Sequence, residues 1–228
     1  MPGRPYVLLS AAMSVDACID DASRDRLVLS DDADLDRVDE VRAGVDAILV
    51  GAGTIRRDDP RLLVRSAQRR AERVAAGRGG TPLKVTLTGT GELDPGSRFF
   101  TTGDAEKLVY APGAAAGRAR ARVGAVATVV DAGMPLDLHR VLADLRGRGV
   151  ERLMVEGGSA VHTLFLTAGV VDEIQLAVAP FFVGDAGAPR FVGSGRFPHD
   201  ADHRMRLAEA RAVGDLVLLR YLLGGTDG

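Results

Sequence analysis

The chain has a single cysteine, Cys18, so no disulfide can form within it. A secreted disulfide framework and a four-thiolate zinc site are both excluded. The four histidines, His139, His162, His199 and His203, are scattered without the spacing of a metal site, and no metal is expected. No apolar run approaches the roughly 18 residues a membrane span needs, so no membrane partner is expected. Arg4 and a short apolar stretch open the chain without a small-residue cleavage site behind them, so a signal peptide is not expected and a cytoplasmic location is. Charge of one sign is lacking too: 29 basic residues against 31 acidic leave a net −2, which gives no pull toward nucleic acid or anionic lipid. The arginine-rich stretch 65–78 holds no aromatic residue on which a base could stack, so no nucleic-acid partner is expected. Walker A, Gly-x-Ser-x-Gly and zinc motifs are absent, and there is no internal repeat.

What remains is an ordinary globular composition, 46% hydrophobic and 26% charged over 228 residues. A chain of this size buries enough surface to need no staples, and we expect one domain spanning 1–228. Short apolar runs read as buried strands at 6–12, 47–50, 84–88, 108–111, 125–130 and 153–155. Helices are expected between them at 31–43, 114–122, 135–148 and 159–168. In the first helix Ser30 is the expected cap, with Leu35, Val38 and Val41 as its apolar stripe. After residue 170 the pattern changes to strands at 174–179, 205–213 and 216–222, the last two joined by a Gly214-Asp215 hairpin turn. The fold class expected is α/β, with a mixed, mainly parallel sheet, helices on both faces and a C-terminal antiparallel hairpin.

In two places a buried strand runs into glycine and then into a helix start. The first is Ile48-Leu49-Val50-Gly51-Ala52-Gly53-Thr54 and the second is Leu153-Met154-Val155-Glu156-Gly157-Gly158-Ser159. Glycine lets backbone approach a ligand closely, and a helix start turns unpaired N–H groups toward it, so both corners are built to hold the phosphates of a nucleotide. Arg56 stands where a Rossmann fingerprint needs its third glycine or alanine, which excludes that motif. Glu156 is a carboxylate at the end of an apolar strand, either a site acid or a helix-start cap. Residues 54–65 gather Asp58 and Asp59 with several arginines, and Pro60 makes this stretch read as a loop. A guanidinium fork there suits a phosphate; the plainer alternative is a solvated ionic loop. His162 falls on the helix after the second corner, as a helix-surface residue or a ligand contact.

Taken together, the strings Ser14-Val15-Asp16, 41–54, Asp58-Asp59-Pro60-Arg61-Leu62, Val155-Glu156-Gly157-Gly158, 169–173, Ala179-Pro180 and the glycine loop 184–189 resemble the riboflavin-biosynthesis pyrimidine reductases, whose fold is that of dihydrofolate reductase. The resemblance implies a homodimer that uses NADPH to reduce a ribosylaminopyrimidine 5′-phosphate, with hydride going to ribose C1′. It places Gly51, Gly53, Thr54, Asp58, Gly157, Gly158, Ser159, Ala160 and Val161 at the cofactor; Thr88 is added as a candidate because it follows a strand. It places Asp16, Arg42, Leu62, Arg65 and Glu156 at the substrate, with Glu156 also the candidate catalytic group. The chain departs from the pattern at Ser10, at Ala17 where many members have glycine, and around Asp25-Arg26-Leu27. These departures leave open a same-fold NADPH reductase acting on another pteridine or pyrimidine. A non-catalytic nucleotide-binding paralogue is the remaining alternative. The zinc deaminase carried ahead of the reductase in bifunctional members is not expected in a chain with one cysteine.

Overall fold

The computed structural model describes residues 3–23 and 27–223. The elements run β1 (Tyr6–Ser14), α1 (Asp32–Gly44), β2 (Ala47–Gly51), α2 (Ala52–Asp58), α3 (Ala67–Ala75), β3 (Leu83–Leu87), α4 (Arg98–Thr101) and β4 (Lys107–Ala111). They continue with α5 (Ala114–Val123), β5 (Thr128–Asp131), α6 (Leu138–Gly147), β6 (Arg152–Gly157), α7 (Ser159–Thr167), β7 (Glu173–Ala179), β8 (Arg206–Val213) and β9 (Leu216–Leu222). Two compact units emerge. The first is built on Asp39–Met154, the second on Tyr6–Val38 and the described residues from Val155 onward.

In the first unit the strand order is β5-β4-β3-β2-β6, and the β2–β3, β3–β4 and β4–β5 pairs are parallel. All five residues of β2 are buried, which is why it reads as an uninterrupted Ala-Ile-Leu-Val run rather than an alternating one. Each such Leu, Ile or Val taken wholly out of water contributes about 1.5–3 kcal/mol. Helix α6 covers its unit with Leu138, Val141, Leu142 and Leu145. It starts three residues later than 135 because the Asp137 carboxylate accepts from the N–H groups of His139 (2.9 Å) and Arg140 (3.2 Å), fixing the cap there. The short α4, not expected from the sequence, is tied down by the buried Lys84, whose Nζ donates to the Phe99 (3.2 Å) and Thr102 (2.6 Å) carbonyls. Burial pushes that ammonium down to about 8.

In the second unit the order is β6-β1-β7-β9-β8, with β1–β7 parallel and both β7–β9 and β8–β9 antiparallel. The expected hairpin turn is present, with Gly214 at φ +57°. A Cβ there would collide with Asp31 Oδ2, which also accepts from the Asp215 N–H (3.2 Å). The fold is thus the mixed, mainly parallel α/β sheet with flanking helices and a C-terminal antiparallel hairpin.

Helix α1 departs from the expected pattern. Its cap is Asp31, which accepts from the Asp34 N–H (2.9 Å), while the Ser30 hydroxyl donates to Asp34 instead (2.5 Å). The deeply buried positions are polar: Asp34 is 0%, Arg37 7% and Asp39 3% exposed, whereas Leu35, Val38 and Val41 are only half-buried. Burying charge this way is tolerable only when every group is paired. Arg37 Nε donates to Asp34 (2.7 Å) and Arg37 Nη1 to Gln175 (2.7 Å). Gln175 donates to Glu173 (2.9 Å), which also accepts from Tyr6 (2.7 Å) and Arg220 (2.6 Å).

Candidate functional site

The first corner is set by β2 ending in Gly51 and α2 beginning at once. Gly51 is the N-cap in extended conformation, so no side chain caps the first-turn N–H groups. By contrast α3 is capped by the Ser66 hydroxyl and α6 by the Asp137 carboxylate. Ile55 anchors α2 in the core, Thr54 is half-buried, and Gly53 is exposed, with nothing among the described residues within 4 Å of where a Cβ would stand. Residues 54–58, within the stretch 54–65 that the sequence reads as a loop, are therefore helical. Pro60 acts two residues later, with Asp59 turning into the left-handed region (φ +40°) and its N–H donating to Ile55.

The chain beyond α2 is strained and clamped. Leu62 is a bulky residue at φ +45° that is only 2% exposed, a conformation that persists only where the surroundings over-determine it. Arg98 Nε grips Asp59 through its carbonyl (2.8 Å) and carboxylate (3.1 Å). From α1, Arg42 donates to the Leu63 carbonyl (3.3 Å). Asp39 accepts from the Arg65 N–H, the Ser66 N–H (3.0 Å) and Arg69 (3.1 Å). Burial opposes the charge on Asp39, but these donors outweigh it and hold the carboxyl below its usual range. Arg42 and Arg65 are thereby brought to one segment, with Arg65 exposed. Thr88, just past β3, is buried, and its hydroxyl accepts from the Gly91 N–H (3.0 Å).

The second corner closes β6. Leu153, Met154 and Val155 are wholly buried, and the half-buried Glu156 follows them directly. Gly157 (φ +110°) and Gly158 (φ +69°) occupy backbone regions that side chains rarely adopt. Gly158 is the N-cap of α7 and so supplies no side chain to Ser159, Ala160 and Val161 in its first turn. Neither glycine N-cap, of α2 or of α7, makes a side-chain cap hydrogen bond. His162, read as a surface or ligand residue, is 1% exposed and belongs to the core.

Asp16 lies just past β1. Its carboxylate accepts from the Ser14 hydroxyl (2.5 Å) and from the N–H groups of Val183 (3.1 Å) and Gly184 (2.8 Å). These donors, the Ser14 hydroxyl first, hold it well below the usual carboxylate range. Ala17 takes φ +65°, the region glycine favours. Ser10 is buried on β1 opposite Gln175, and Leu27 donates its N–H to Asp20 (3.1 Å); Asp25 and Arg26 lie outside the described residues.

The expected site residues therefore fall into two groups. Arg42, Gly51, Gly53, Thr54, Asp58, Leu62, Arg65 and Thr88 belong to the first unit; Asp16, Glu156 and residues 157–161 belong to the second. Sequence reading missed Asp39 as the clamp on residues 65–69 and Arg190 as a link in the second unit. Arg190 Nη1 donates to the Asp16 carbonyl (2.8 Å), and its own carbonyl accepts from the Ser159 hydroxyl. Neither lies in a motif, and both act across long sequence separations. Among the described residues no cluster of histidine, cysteine and acidic side chains could hold a metal ion, and no helix is long and apolar enough to cross a membrane.

Comparison with known proteins adds a family match. The family described as the RibD C-terminal domain matches residues 5–219. The chain is similar to the 2,5-diamino-6-ribosylamino-4(3H)-pyrimidinone 5′-phosphate reductase of Methanothermobacter thermautotrophicus, at 36% identity over 97% of this chain and 100% of that protein. It is similar to the reductase of the same name from Archaeoglobus fulgidus, at 37% identity over 82% and 85% of the two chains. Among solved structures, a pyrimidine reductase-like protein from Corynebacterium diphtheriae superposes with a TM-score of 0.79 at 23% identity, covering 96% of this chain and 91% of that one. This last likeness concerns the fold alone.

Proposed function

The chain belongs to the RibD C-terminal domain family, and from that premise we propose that it is a reductase of riboflavin biosynthesis. Its substrate is 2,5-diamino-6-ribosylamino-4(3H)-pyrimidinone 5′-phosphate or a close relative. It reduces the ribosylamino group to a ribitylamino group with NADPH in the cytoplasm. The observation that carries the reading is the second corner: a half-buried Glu156 at the end of a wholly buried strand run, directly before two glycines with positive φ.

NADPH supplies the hydride when bound. The residues of the chain do the positioning. In the second unit the glycine-capped start of α7 takes cofactor phosphate; in the first unit Thr54 and Asp58 are cofactor contacts. Arg42 and Arg65 take the substrate phosphate, and Leu62 and Asp16 shape the rest of the substrate's surroundings. The nitrogen of the substrate's open-chain C1′=N group takes a proton from solvent, and the resulting iminium accepts hydride at C1′ as its π pair moves to nitrogen, leaving a neutral secondary amine. The Glu156 carboxylate stabilises the positive charge on that nitrogen and orients the group.

Residues 1–228 act as one reductase domain in a homodimer. Leu207 and Val217, exposed on one face of the C-terminal hairpin, are apolar surface that such a contact would cover. The decisive experiment is loss of reduced-nicotinamide absorbance with NADPH or NADH against a panel of pyrimidine and pterin substrates. Turnover of the pyrimidine phosphate with a preference for NADPH supports the proposal. Turnover of a pterin alone, or binding without turnover, breaks it. Light scattering after gel filtration tests the dimer, and a single calorimetric transition tests the one-domain reading.

A further inference from the structure

We infer that His162 is a positioning residue for the Glu156-Gly157-Gly158 corner, fastening residues 190–193 to α7 through one ring nitrogen and setting the other beneath Gly157. The inference rests on the reading above only in taking that corner to carry the cofactor and Glu156.

Three side chains on one face of α7, spaced i, i+3 and i+4, reach the same segment. The Ser159 hydroxyl donates to the Arg190 carbonyl. His162 Nδ1 meets the Phe191 carbonyl at 2.9 Å, and its ring lies 5.1 Å from that of Phe191. The Thr163 hydroxyl accepts from the Gly193 N–H (2.8 Å). The other side of the segment is bonded to residues 16–19, at the end of the Ser14-Val15-Asp16 motif. Phe191 N–H donates to Ala17 (2.9 Å), Ile19 N–H to Pro189 (2.9 Å) and Arg190 Nη1 to Asp16 (2.8 Å). Residues 181–193 thus form a strap between two sequence motifs of the second unit, and His162 is its deepest fastening.

A carbonyl only accepts, so the proton sits on Nδ1 and Nε2 is a bare acceptor. Nε2 is buried, has no hydrogen-bond partner among the described residues, and lies 2.7 Å from where a Cβ on Gly157 would stand. A residue present only to fill volume would avoid that cost, since leucine packs there without a buried unsatisfied nitrogen. The imidazole is accounted for by its donor to Phe191 and by the flat surface it offers a side-chain-free residue 157. Burial also keeps the ring neutral, pushed down to about 4 against the pull of the Phe191 carbonyl. No charge therefore switches beneath the corner near neutral pH.

The test compares H162L, which fills the space without a donor, with H162N, which returns an N–H near the position of Nδ1. In the full-length protein, H162L is expected to weaken NADPH binding about tenfold, read by nicotinamide fluorescence, and H162N to recover it to within about threefold. Both are expected to lose similar amounts of Tm. Amide exchange at Gly157, Gly158 and residues 190–193 is expected to rise together in H162L and to return in H162N. Wild-type NADPH affinity in H162L, or exchange at the corner unchanged by H162L, overturns the inference. If the wild-type protein does not bind NADPH, the functional reading fails, and the exchange comparison still decides whether His162 holds the corner.

Discussion

In the corner after β2, Gly51 keeps an ordinary extended backbone (φ −75°) and Gly53 stands in open space. In the corner after β6, both glycines take positive φ and one lies against a buried imidazole. On the proposed reading glycine serves access at the first corner, while at the second the backbone itself calls for it. The positive-φ backbone that glycine adopts freely at the second corner is taken, at the first, by the non-glycine residues Asp59 and Leu62 just downstream, where it carries strain. Two similar-looking glycine motifs therefore call for different experiments, because a methyl group added to each meets different surroundings.

The largest effect separating the corners is expected from Glu156→Gln, which removes the carboxylate that directly precedes the glycines of the second corner. Turnover should fall about 10²–10³-fold, as when a pre-organised stabilising group is lost, with Tm nearly unchanged. Steady-state kinetics at saturating substrate measures it, and full activity removes Glu156 from the chemistry. Next comes Gly157→Ala, where backbone strain and the collision with His162 act together. A loss of about 3 kcal/mol is expected, or about 6–12 °C in Tm for a chain this long, read by thermal unfolding.

Arg65→Ala tests the segment downstream of the first corner. Losing a charge-assisted bond to phosphate should raise the substrate KM about 10–100-fold while leaving the cofactor KM alone. The smallest effect is expected at Gly53→Ala. With nothing nearby to strike, Tm should stay within about 0.5 kcal/mol equivalent of wild type while the cofactor KM rises several-fold. If Gly53→Ala destabilised the fold as much as Gly157→Ala, the contrast between access and shape would be lost.

The local code is legible wherever one segment decides its own fate. The apolar runs at β2, β6 and β9, the glycine stops and the Gly214 turn are all readable, since burial of a continuous run or a left-handed residue leaves a mark at that position. The underside of α1 is not. Leu35, Val38 and Val41 show helical periodicity, yet Asp34 and Arg37 face inward because Arg37 finds Gln175, 138 positions away. Pairing at that distance leaves no local trace. Asp16 likewise reads as a ligand contact by motif, while its carboxylate is engaged by Val183 and Gly184 about 167 positions on. The helicity of α2 is hidden by giving Pro60 too long a reach, since a proline restricts chiefly the residue just before it.

The sealed position of Cys18 has a practical use. The only thiol of the chain is shut away from solvent, so the wild-type protein provides a silent background for attaching a spectroscopic reporter. A cysteine introduced at exposed Gly53 or Arg190 would be the one site a maleimide dye reaches in the folded molecule. Each corner can then be watched separately as ligand arrives, without first engineering away a native sulfur.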